Sequence, residues 1–391
     1  MSSRRAHIAM IGIPAVSHVL PSLEVIRELV ARGHRVTYAN GPAAADLVAS
    51  TGAELVPYTS TLPVADNDWP EDPIAAMGVF LDDAMRMLPQ LQTFYDDDPA
   101  DVYLYDIGAY AARALAESQG RPYVQLSPAI VAWEGYEEEV AAPMLALPGA
   151  VAYQEKFARW LAGCGALTTD PAAFSGRPAR SVALIPGAMQ PNLEKVDTDV
   201  VTFTGPCLGG RAEQEGWKRP DGAEKVLLVS LGSAYTRQPE FYRNCLAAYG
   251  NLPGWHMVLQ IGKYLDPAEL GAIPPNVEVR AWVPQPAILR QADAFITHAG
   301  MGGCSEGLLA GTPMIAVPQA VDQFMNADRL VELGVARRID TADATAEALR
   351  TALLELTSDP AVARRAAELR ARTRTEGGAT RAAEVIESQL P

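Results

Sequence analysis

The sequence predicts an α/β protein built from two Rossmann-like domains in tandem. Three observations lead to this prediction. The chain has 391 residues, more than one ordinary hydrophobic core needs. Short apolar runs typical of strands alternate with helical periodicities along its length. This alternation stops at 205–222, a stretch rich in glycine, proline and charge, and then starts again. Such alternation indicates parallel sheets covered by helices on both faces.

The first half begins with a complete β-α-β unit. The apolar run 7–13 predicts a buried strand, and five apolar residues between 20 and 30 recur at helical spacing. Gly33 stands where the C-cap of that helix belongs, and 35–39 predicts the next strand. The pattern continues with these predicted elements: helices at 43–51, 75–91 and 110–120, and strands at 54–56, 102–105 and 123–126.

The second half repeats the same organisation. Its predicted strands are 226–229, 257–261, 277–279, 294–297 and 314–317, and its later helices are 322–333, 345–357, 360–374 and 379–390. We therefore expect a first domain at 1–208, a linker at 209–222, a second domain at 223–375 and a terminal helix at 376–391. The carboxyl ends of the two sets of strands are expected to face one another across a cleft. Open α/β sheets bind ligands at those ends, so we expect the ligands in this cleft.

Composition excludes several classes of partner. The net charge of −15 and the isoelectric point near 4.8 argue against nucleic acid and against an anionic membrane surface, since both would be repelled. The chain has no run of about 18 apolar residues, and its start has no full signal-peptide apolar region. Four cysteines without CxxC spacing or a metal-ligand cluster indicate reduced thiols. We expect a cytoplasmic protein, monomeric or homodimeric, that uses no metal.

A histidine and an aspartate follow two strands of the first predicted sheet. His18 lies in the turn after the first strand, and Asp106 follows the strand 102–105. Imidazole suits a general base because its pKa is close to neutral pH. A carboxylate bonded to one ring nitrogen would fix the tautomer and stabilise the imidazolium. If these strands are neighbours, the two residues predict a catalytic dyad.

A longer motif lies in the second half. Trp282 offers a flat surface for stacking a base, and Val283 offers backbone groups to the base edge. His298 ends a strand and is followed by glycines that allow close approach to a diphosphate, which the next helix would bind at its N-terminus. Glu306 is placed to accept bonds from ribose hydroxyls. Asp322 and Gln323 offer an acceptor and a donor suited to sugar hydroxyls.

These elements together resemble the nucleotide-sugar signature of the GT-B-fold UDP-glycosyltransferases, and they are most similar to bacterial macrolide glycosyltransferases of the oleandomycin-inactivating type. The likeness is carried by the blocks around 281–285, 295–306 and 318–326, and by the stretches 21–39, 133–144, 222–236, 251–262 and 319–330. It spans essentially the whole chain. It implies an acceptor-binding first domain, a nucleotide-sugar-binding second domain and a terminal helix that packs back on the first domain.

The resemblance also implies a reaction and roles for individual residues. An inverting transfer of glucose from UDP-glucose to a macrolide hydroxyl is expected, with His18 as the base, Asp106 as its partner, and neither cofactor nor metal. The implied donor-binding residues are Ser230, Ser233, Trp282, Val283, Gln285, His298, Gly300, Gly303, Cys304, Glu306, Asp322 and Gln323. The implied acceptor-binding residues, in the segment after the fifth strand, are Trp133, Tyr136, Glu137 and Glu138. We expect one of the two glutamates to face a cationic amino sugar.

The sequence departs from the pattern of this family at four positions. Val16 stands where related macrolide enzymes have a first histidine, and Leu20 replaces a common asparagine. Gly303 and Cys304 stand where hydroxyl residues are usual, which removes a side-chain donor but leaves the backbone amides. These changes bear on acceptor fit and donor affinity rather than on the reaction class.

Alternative functions remain at this point. A Rossmann oxidoreductase would need G-x-G-x-x-G after the first strand, and the residues following Gly12 do not supply it. A catalytically silent partner of another transferase is a second alternative, against which His18 and Asp106 argue. The third alternative is a transferase of antibiotic biosynthesis that uses a dTDP-deoxysugar, rather than an enzyme of antibiotic resistance. The acidic run 96–98 beside Pro99 predicts a solvated turn rather than a metal motif.

Overall fold

A computed structural model describes residues 5–65, 68–208 and 216–391. Contacts divide the chain into two compact units. The first unit comprises Met1–Leu184, Asn192–Cys207 and Gly377–Pro391, and the second comprises Ile185–Pro191 and Leu208–Glu376. Each unit contains one parallel sheet flanked by helices, as alternating strands and helices require. None of the helices within the described ranges has the length and hydropathy of a membrane span.

The sheet of the first unit has seven strands among the described residues, in the order β3-β2-β1-β4-β5-β6-β7. Its strands are β1 His7–Ile11, β2 Arg35–Asn40, β3 Glu54–Pro57, β4 Val102–Asp106, β5 Tyr123–Ser127, β6 Ser181–Ala183 and β7 Val201–Phe203. Its first seven helices are α1 Val16–Ala31, α2 Ala45–Ala49, α3 Pro73–Tyr95, α4 Tyr110–Ser118, α5 Ala142–Leu145, α6 Ala150–Gly163 and α7 Pro171–Gly176. The strands β1, β4 and β5 are almost wholly buried, because helices cover both faces of a parallel sheet.

The helix α1 ends as predicted but begins earlier. The amide of Gly33, at φ 95°, donates to the carbonyl of Val30, and the amide of His34 donates to that of Leu29. These two bonds form a Schellman motif, in which glycine adopts the left-handed conformation most readily. The helix already starts at Val16 and contains Pro21. The prediction that His18 lies in a turn is therefore wrong, since His18 occupies the first turn of α1.

The sheet of the second unit has six strands among the described residues, in the order β10-β9-β8-β11-β12-β13. Its strands are β8 Lys225–Ser230, β9 Trp255–Gln260, β10 Val277–Arg280, β11 Ala294–Thr297, β12 Met314–Ala316 and β13 Ala336–Arg338. Its helices are α8 Pro239–Tyr249, α9 Gln285–Leu289, α10 Met301–Ala310, α11 Gln323–Glu332, α12 Ala346–Ser358 and α13 Pro360–Arg374. The strand order reverses between β8 and β11, and this is the switch point at which ligands bind in such sheets.

The terminal helix α14, Gly378–Glu387, packs on α1 in the first unit, as the sequence predicted. Its buried face is Ala382, Ala383, Val385 and Ile386. Glu387 accepts a hydrogen bond from Arg32 Nη1 at 2.7 Å and lies 3.0 Å from His34 Nε2. These partners lower the pKa of Glu387 against the opposing effect of burial. Apolar contacts and the polar contacts of Glu387 with Arg32 and His34 together hold the end of the chain on the first unit.

The predicted linker lies partly outside the described residues, which exclude 209–215. The described part of the predicted linker, residues 216–222, packs on the second unit. Trp217 Nε1 donates to Glu278 at 3.1 Å, and Arg219 forms an ion pair with Asp293 at 3.0 Å. The second half of the predicted linker is therefore anchored to the second unit, at β10 and at the residue before β11.

Candidate functional site

His18 and Asp106 form a hydrogen-bonded pair in the first unit. His18 Nδ1 lies 2.8 Å from Asp106 Oδ2. The carboxylate is buried, with 2% of its side chain exposed, whereas 27% of the imidazole is exposed. Asp106 Oδ1 also accepts a bond from the amide of Gly108, at 2.8 Å. Because both carboxylate oxygens are held, the bond to Nδ1 fixes the orientation of the imidazole.

Strand pairing explains why these two residues meet. The strands β1 and β4 are parallel neighbours, with Ile11 paired to Tyr105. Asp106 is the last residue of β4, and His18 is the third residue of the helix that follows β1. The carboxyl ends of parallel neighbours lie at the same edge of a sheet, so the two side chains reach each other across 88 positions of sequence. A base with an orienting carboxylate is a constellation that catalyses proton transfer.

The acceptor-side segment places glutamates beside an aromatic pair. The rings of Trp133 and Tyr136 pack edge to face with their centroids 4.9 Å apart, and burial raises the pKa of Tyr136. Glu137, one of the two glutamates expected to include a partner for a ligand cation, pairs with Arg177. The residue bonded to the indole nitrogen of Trp133 is Glu139, at 3.2 Å. The charge of Glu137 is therefore already compensated, and the carboxylate beside the aromatic pair lies two positions later.

Glu138 is exposed, as Glu137 is. It lies in the π-helical turn Glu137–Ala141, which precedes α5. No ion pair of Glu138 is found among the described residues. Of the two glutamates identified from the sequence, Glu138 is thus the one whose charge is not already paired with an arginine.

In the second unit, His298 is enclosed by glycine backbone. A Cβ atom at Gly232 would lie 2.6 Å from His298 Cε1, and one at Gly300 would lie 2.4 Å from Nε2. Both positions therefore need glycine for the ring to keep its place. His298 Nδ1 is buried and has no hydrogen-bond partner among the described residues. Burial lowers the pKa of His298 to about 4, so the ring is neutral at physiological pH.

The N-terminus of α10 follows His298 directly. The first hydrogen bond of this helix runs from the amide of Cys304 to the carbonyl of Gly300, at 3.0 Å. The preceding amides, those of Met301, Gly302 and Gly303, have no acceptor within the helix. Such amides, together with the helix dipole, attract an anion.

Cys304 is placed differently from its neighbour Gly303. Its amide is bonded within α10, and its side chain is fully buried at 0% exposure. Burial raises the pKa of its thiol. The structure therefore places Gly303 at the free amides of the helix and the groups of Cys304 inside it.

The segment after β10 presents an aromatic surface beside a polar pair. Trp282 is 60% exposed, so its indole face is available for stacking. Val283 is buried, while Gln285 Nε2 donates to Glu306 Oε2 at 2.8 Å. The structure thus joins Gln285 on α9 to Glu306 on α10, two residues that were predicted separately.

Ser230 and Ser233 lie at the turn after β8. Ser230 is buried, and its Oγ accepts a bond from the amide of Gly232 at 3.3 Å, whereas Ser233 is exposed. The buried amide of Gln260 joins this turn to the next segment. Its Nε2 donates to the Gly232 carbonyl at 3.0 Å, and its Oε1 accepts from the amide of Val283 at 3.3 Å. Gln260 was not predicted from the sequence, although a polar residue that ends an apolar strand was a usable signal.

Asp322 and Gln323 lie at the start of α11. Asp322 is the exposed N-cap residue. Gln323 is buried, and its Oε1 accepts bonds from the amides of Gln319 at 2.8 Å and Ala320 at 3.1 Å. Val321, which lies between Ala320 and Asp322, has φ 53°, which is uncommon for a β-branched residue. The Gln323 carbonyl oxygen therefore closes a strained turn that presents Asp322.

Asn326, the last residue of the block 318–326, is a second residue to which no role was assigned from the sequence. It is 2% exposed. Its Nδ2 donates to the carbonyl of Ala299 at 3.0 Å and to Asp322 Oδ2 at 2.8 Å. It therefore joins the turn after β11 to the start of α11.

The known proteins that this chain resembles are sugar transferases. The family model described as UDP-glucoronosyl and UDP-glucosyl transferase matches residues 185–371. The chain is 58% identical to the oleandomycin glycosyltransferase of Streptomyces antibioticus over 99% of this chain and 91% of that protein. Among solved structures, it is similar to the glycotransferase of kitacinnamycin, with TM-score 0.92 and 53% identity over 100% of both chains. It is also similar to the calicheamicin glycosyltransferase CalG4, with TM-score 0.87 and 32% identity over 99% of this chain and 98% of that one.

Proposed function

Since this chain belongs to the UDP-glucoronosyl and UDP-glucosyl transferase family and is a glycosyltransferase of GT-B fold, we propose that it transfers glucose from UDP-glucose to a hydroxyl group of a macrolide or similar natural product. The observation that carries the mechanism is the 2.8 Å bond between His18 Nδ1 and Asp106. The macrolide acceptor is inferred from the relative named oleandomycin glycosyltransferase, which is 58% identical.

His18 acts as the general base in this proposal. With Nδ1–H donating to Asp106, the lone pair of the neutral ring is on Nε2, which takes the proton of the acceptor hydroxyl as the oxygen attacks. The buried carboxylate then stabilises the imidazolium that forms. The acceptor oxygen bonds to the anomeric carbon while the bond from that carbon to the diphosphate breaks. A single displacement inverts the anomeric configuration and yields a β-glucoside from UDP-α-glucose.

The leaving diphosphate is stabilised by groups of the second unit. The free amides of Met301, Gly302 and Gly303 would donate to the phosphate oxygens, and the dipole of α10 favours their charge. His298 is neutral near pH 7, so it contributes a hydrogen bond rather than a positive charge. These groups offset the charge of UDP without a divalent metal in the proposed scheme, so transfer should persist in EDTA.

The rest of the donor is bound by the residues on either side of that helix. The uracil ring would stack on the exposed indole of Trp282. Glu306, oriented by Gln285 at 2.8 Å, would accept bonds from the ribose hydroxyls. Asp322 would accept bonds from the glucose hydroxyls, and the amide nitrogen of Gln323 would donate to them. We expect this set to favour UDP over dTDP donors and glucose over deoxysugars.

A donor and acceptor panel tests this proposal. Purified protein is incubated with UDP-glucose, UDP-galactose, dTDP-glucose or a dTDP-deoxysugar, each with macrolides and with a phenolic acceptor. Products are identified by mass spectrometry, and the anomeric linkage by proton NMR coupling. A macrolide monoglucoside with a β linkage, formed from UDP-glucose with or without EDTA, is the expected result. Transfer from dTDP-deoxysugars alone, an α-linked product, or no transfer with any donor would overturn the proposed donor, mechanism or activity, respectively.

A further inference from the structure

We propose that Asn326 is a positioning residue that couples the orientation of the Asp322 carboxylate to the conformation of the turn His298–Gly300. The inference rests on the proposed function, in which Asp322 binds the donor sugar and the turn precedes the amides that bind its diphosphate. Asn326 itself is buried, so it acts through these two neighbours rather than on the donor.

The side-chain amide of Asn326 has both of its N–H groups engaged. One donates to the Ala299 carbonyl at 3.0 Å, and the other to Asp322 Oδ2 at 2.8 Å. An amide nitrogen offers two donors in one plane at a fixed angle, so the two acceptors are held at a fixed separation. One short side chain thereby links a backbone atom beside the diphosphate site to a side-chain atom of the sugar site.

Ala299 has a backbone conformation that needs such support. Its φ of 61° lies in the left-handed region, which costs energy for a residue other than glycine. Its amide donates to Thr297 Oγ1 at 3.1 Å, and its carbonyl accepts from Asn326. Both polar backbone groups of the strained residue are therefore fixed by side chains, and removal of Asn326 releases one of them.

The side-chain rotamer of Asp322 also depends on Asn326. The two residues are four positions apart, and the amide of Asn326 donates to the Asp322 carbonyl at 3.0 Å, so their side chains lie on the same helix face. Asp322 is exposed and can take several side-chain rotamers in solvent. The bond from Asn326 Nδ2 selects one of these rotamers and thereby directs the carboxylate towards the position we propose for the sugar.

The test compares the binding of UDP with that of UDP-glucose by calorimetry in the full-length protein. Asn326→Ala should weaken UDP-glucose binding about tenfold more than UDP binding, the typical effect of losing one charge-assisted hydrogen bond. Asn326→Asp should have a larger effect, because it places a second carboxylate against Asp322. Asn326→Ser keeps one donor and should have the smallest effect, which provides a mild variant if the others fold poorly.

The matched control is Asn276, a half-buried amide in the same unit. Its Nδ2 also donates to two carbonyls, those of Tyr249 and Trp255, both at 3.1 Å. Asn276→Ala should lower the melting temperature without changing the ratio of UDP to UDP-glucose affinity. A similar change of ratio in both alanine variants would overturn the inference, since it would make the effect a general loss of stability.

A double-mutant cycle completes the test. In an Asp322→Ala background, Asn326→Ala should add less than about twofold to the change in ratio, because its partner is already absent. Full additivity, or an unchanged ratio in the single variant, would overturn the inference while leaving the proposed function intact. Failure of the wild-type protein to bind either ligand would instead overturn the proposed function, and this inference with it.

Discussion

The Nδ1 atom of His18 lies 2.8 Å from Oδ2 of Asp106, and the amide of Gly108 holds the other oxygen of this buried carboxylate. The carboxylate thus sets both the tautomer and the direction of the imidazole. The anchor is part of the sheet, since Asp106 ends the central strand β4. We therefore regard the geometry of the proposed base as a product of strand pairing rather than of loop conformation.

Replacement of Asp106 by Asn should lower kcat by roughly 10²–10⁴-fold, because an amide can donate to Nδ1 and thus stabilise the wrong tautomer. The affinity for UDP should not change, since the proposed donor residues belong to the second unit. Steady-state kinetics and UDP titration measure the two effects. The control is Asp83→Asn, which changes another buried carboxylate, one that accepts bonds from Ser60 and Thr61. An equal loss of kcat in both variants would contradict the dyad.

The desolvated imidazole of His298, whose Nδ1 atom is buried, predicts a pH dependence of stability. Its pKa is about 4 in the folded protein, against 6.5 for an unperturbed histidine. As pH falls below 6.5, the unfolded chain binds a proton that the folded protein does not bind until about pH 4. The stabilisation is therefore complete above pH 6.5 and is lost as pH falls through that window, by about 2–3 kcal/mol at pH 4.5.

A variant without the titrating group measures this contribution. His298→Gln should lose about 2–3 kcal/mol less unfolding free energy than the wild type between pH 7 and pH 4.5, as measured by urea denaturation. Equal losses for the two proteins would show that the imidazole is not buried in the neutral form.

The placement of Cys304 and Gly303 predicts opposite consequences for adjacent residues. Cys304→Ala should leave the KM for the nucleotide sugar unchanged and lower stability by about 1 kcal/mol, because the thiol is buried and the amide is bonded within α10. Gly303→Ala should raise that KM, because its Cβ would lie 2.9 Å from Thr297 Oγ1 and would displace the free amides. A higher KM in Cys304→Ala than in Gly303→Ala would contradict this placement.

The acceptor-side glutamates are distinguished by their partners. Because Arg177 already pairs with Glu137, Glu137→Gln should change the affinity for an amine-bearing macrolide little. Glu138→Gln should lower it by about tenfold to a hundredfold, while the affinity for a neutral phenolic acceptor stays constant. Kinetics with both acceptors make the comparison, and Glu139→Gln reports on the carboxylate bonded to Trp133. Equal losses on both acceptors in Glu138→Gln would rule out recognition of the cation.

Local patterns were sufficient to predict much of the fold. The apolar run that contains β1, the periodicity of α1 and the glycine at its end are short-range signals, and the structure contains all three. The helix α6 was missed although Tyr153, Phe157 and Leu161 carry its spacing of four. The start of α1 at Val16 was missed because the apolar spacing that predicted this helix begins only at residue 20.

The contacts within the candidate sites were less accessible to sequence analysis. His18 and Asp106 could be related because parallel strand order constrains where strands end. No comparable rule relates Glu137 to Arg177, which are 40 positions apart, or Asn326 to Ala299, which are 27 apart. These pairs depend on how irregular segments pack, and periodicity carries no information about that packing. Sequence could therefore nominate residues for the candidate sites, but it could not predict which of them are bonded to each other.

The kinetics of His18→Ala test the central claim most directly. The variant and the wild type are compared for transfer from UDP-glucose to a macrolide, with UDP affinity measured on the same preparations. We predict a kcat lower by roughly 10²–10⁴-fold, the usual contribution of a positioned base, and a UDP dissociation constant within about twofold of the wild type. Near-normal turnover in His18→Ala would contradict the account, because the deprotonation of the acceptor would then not depend on this histidine.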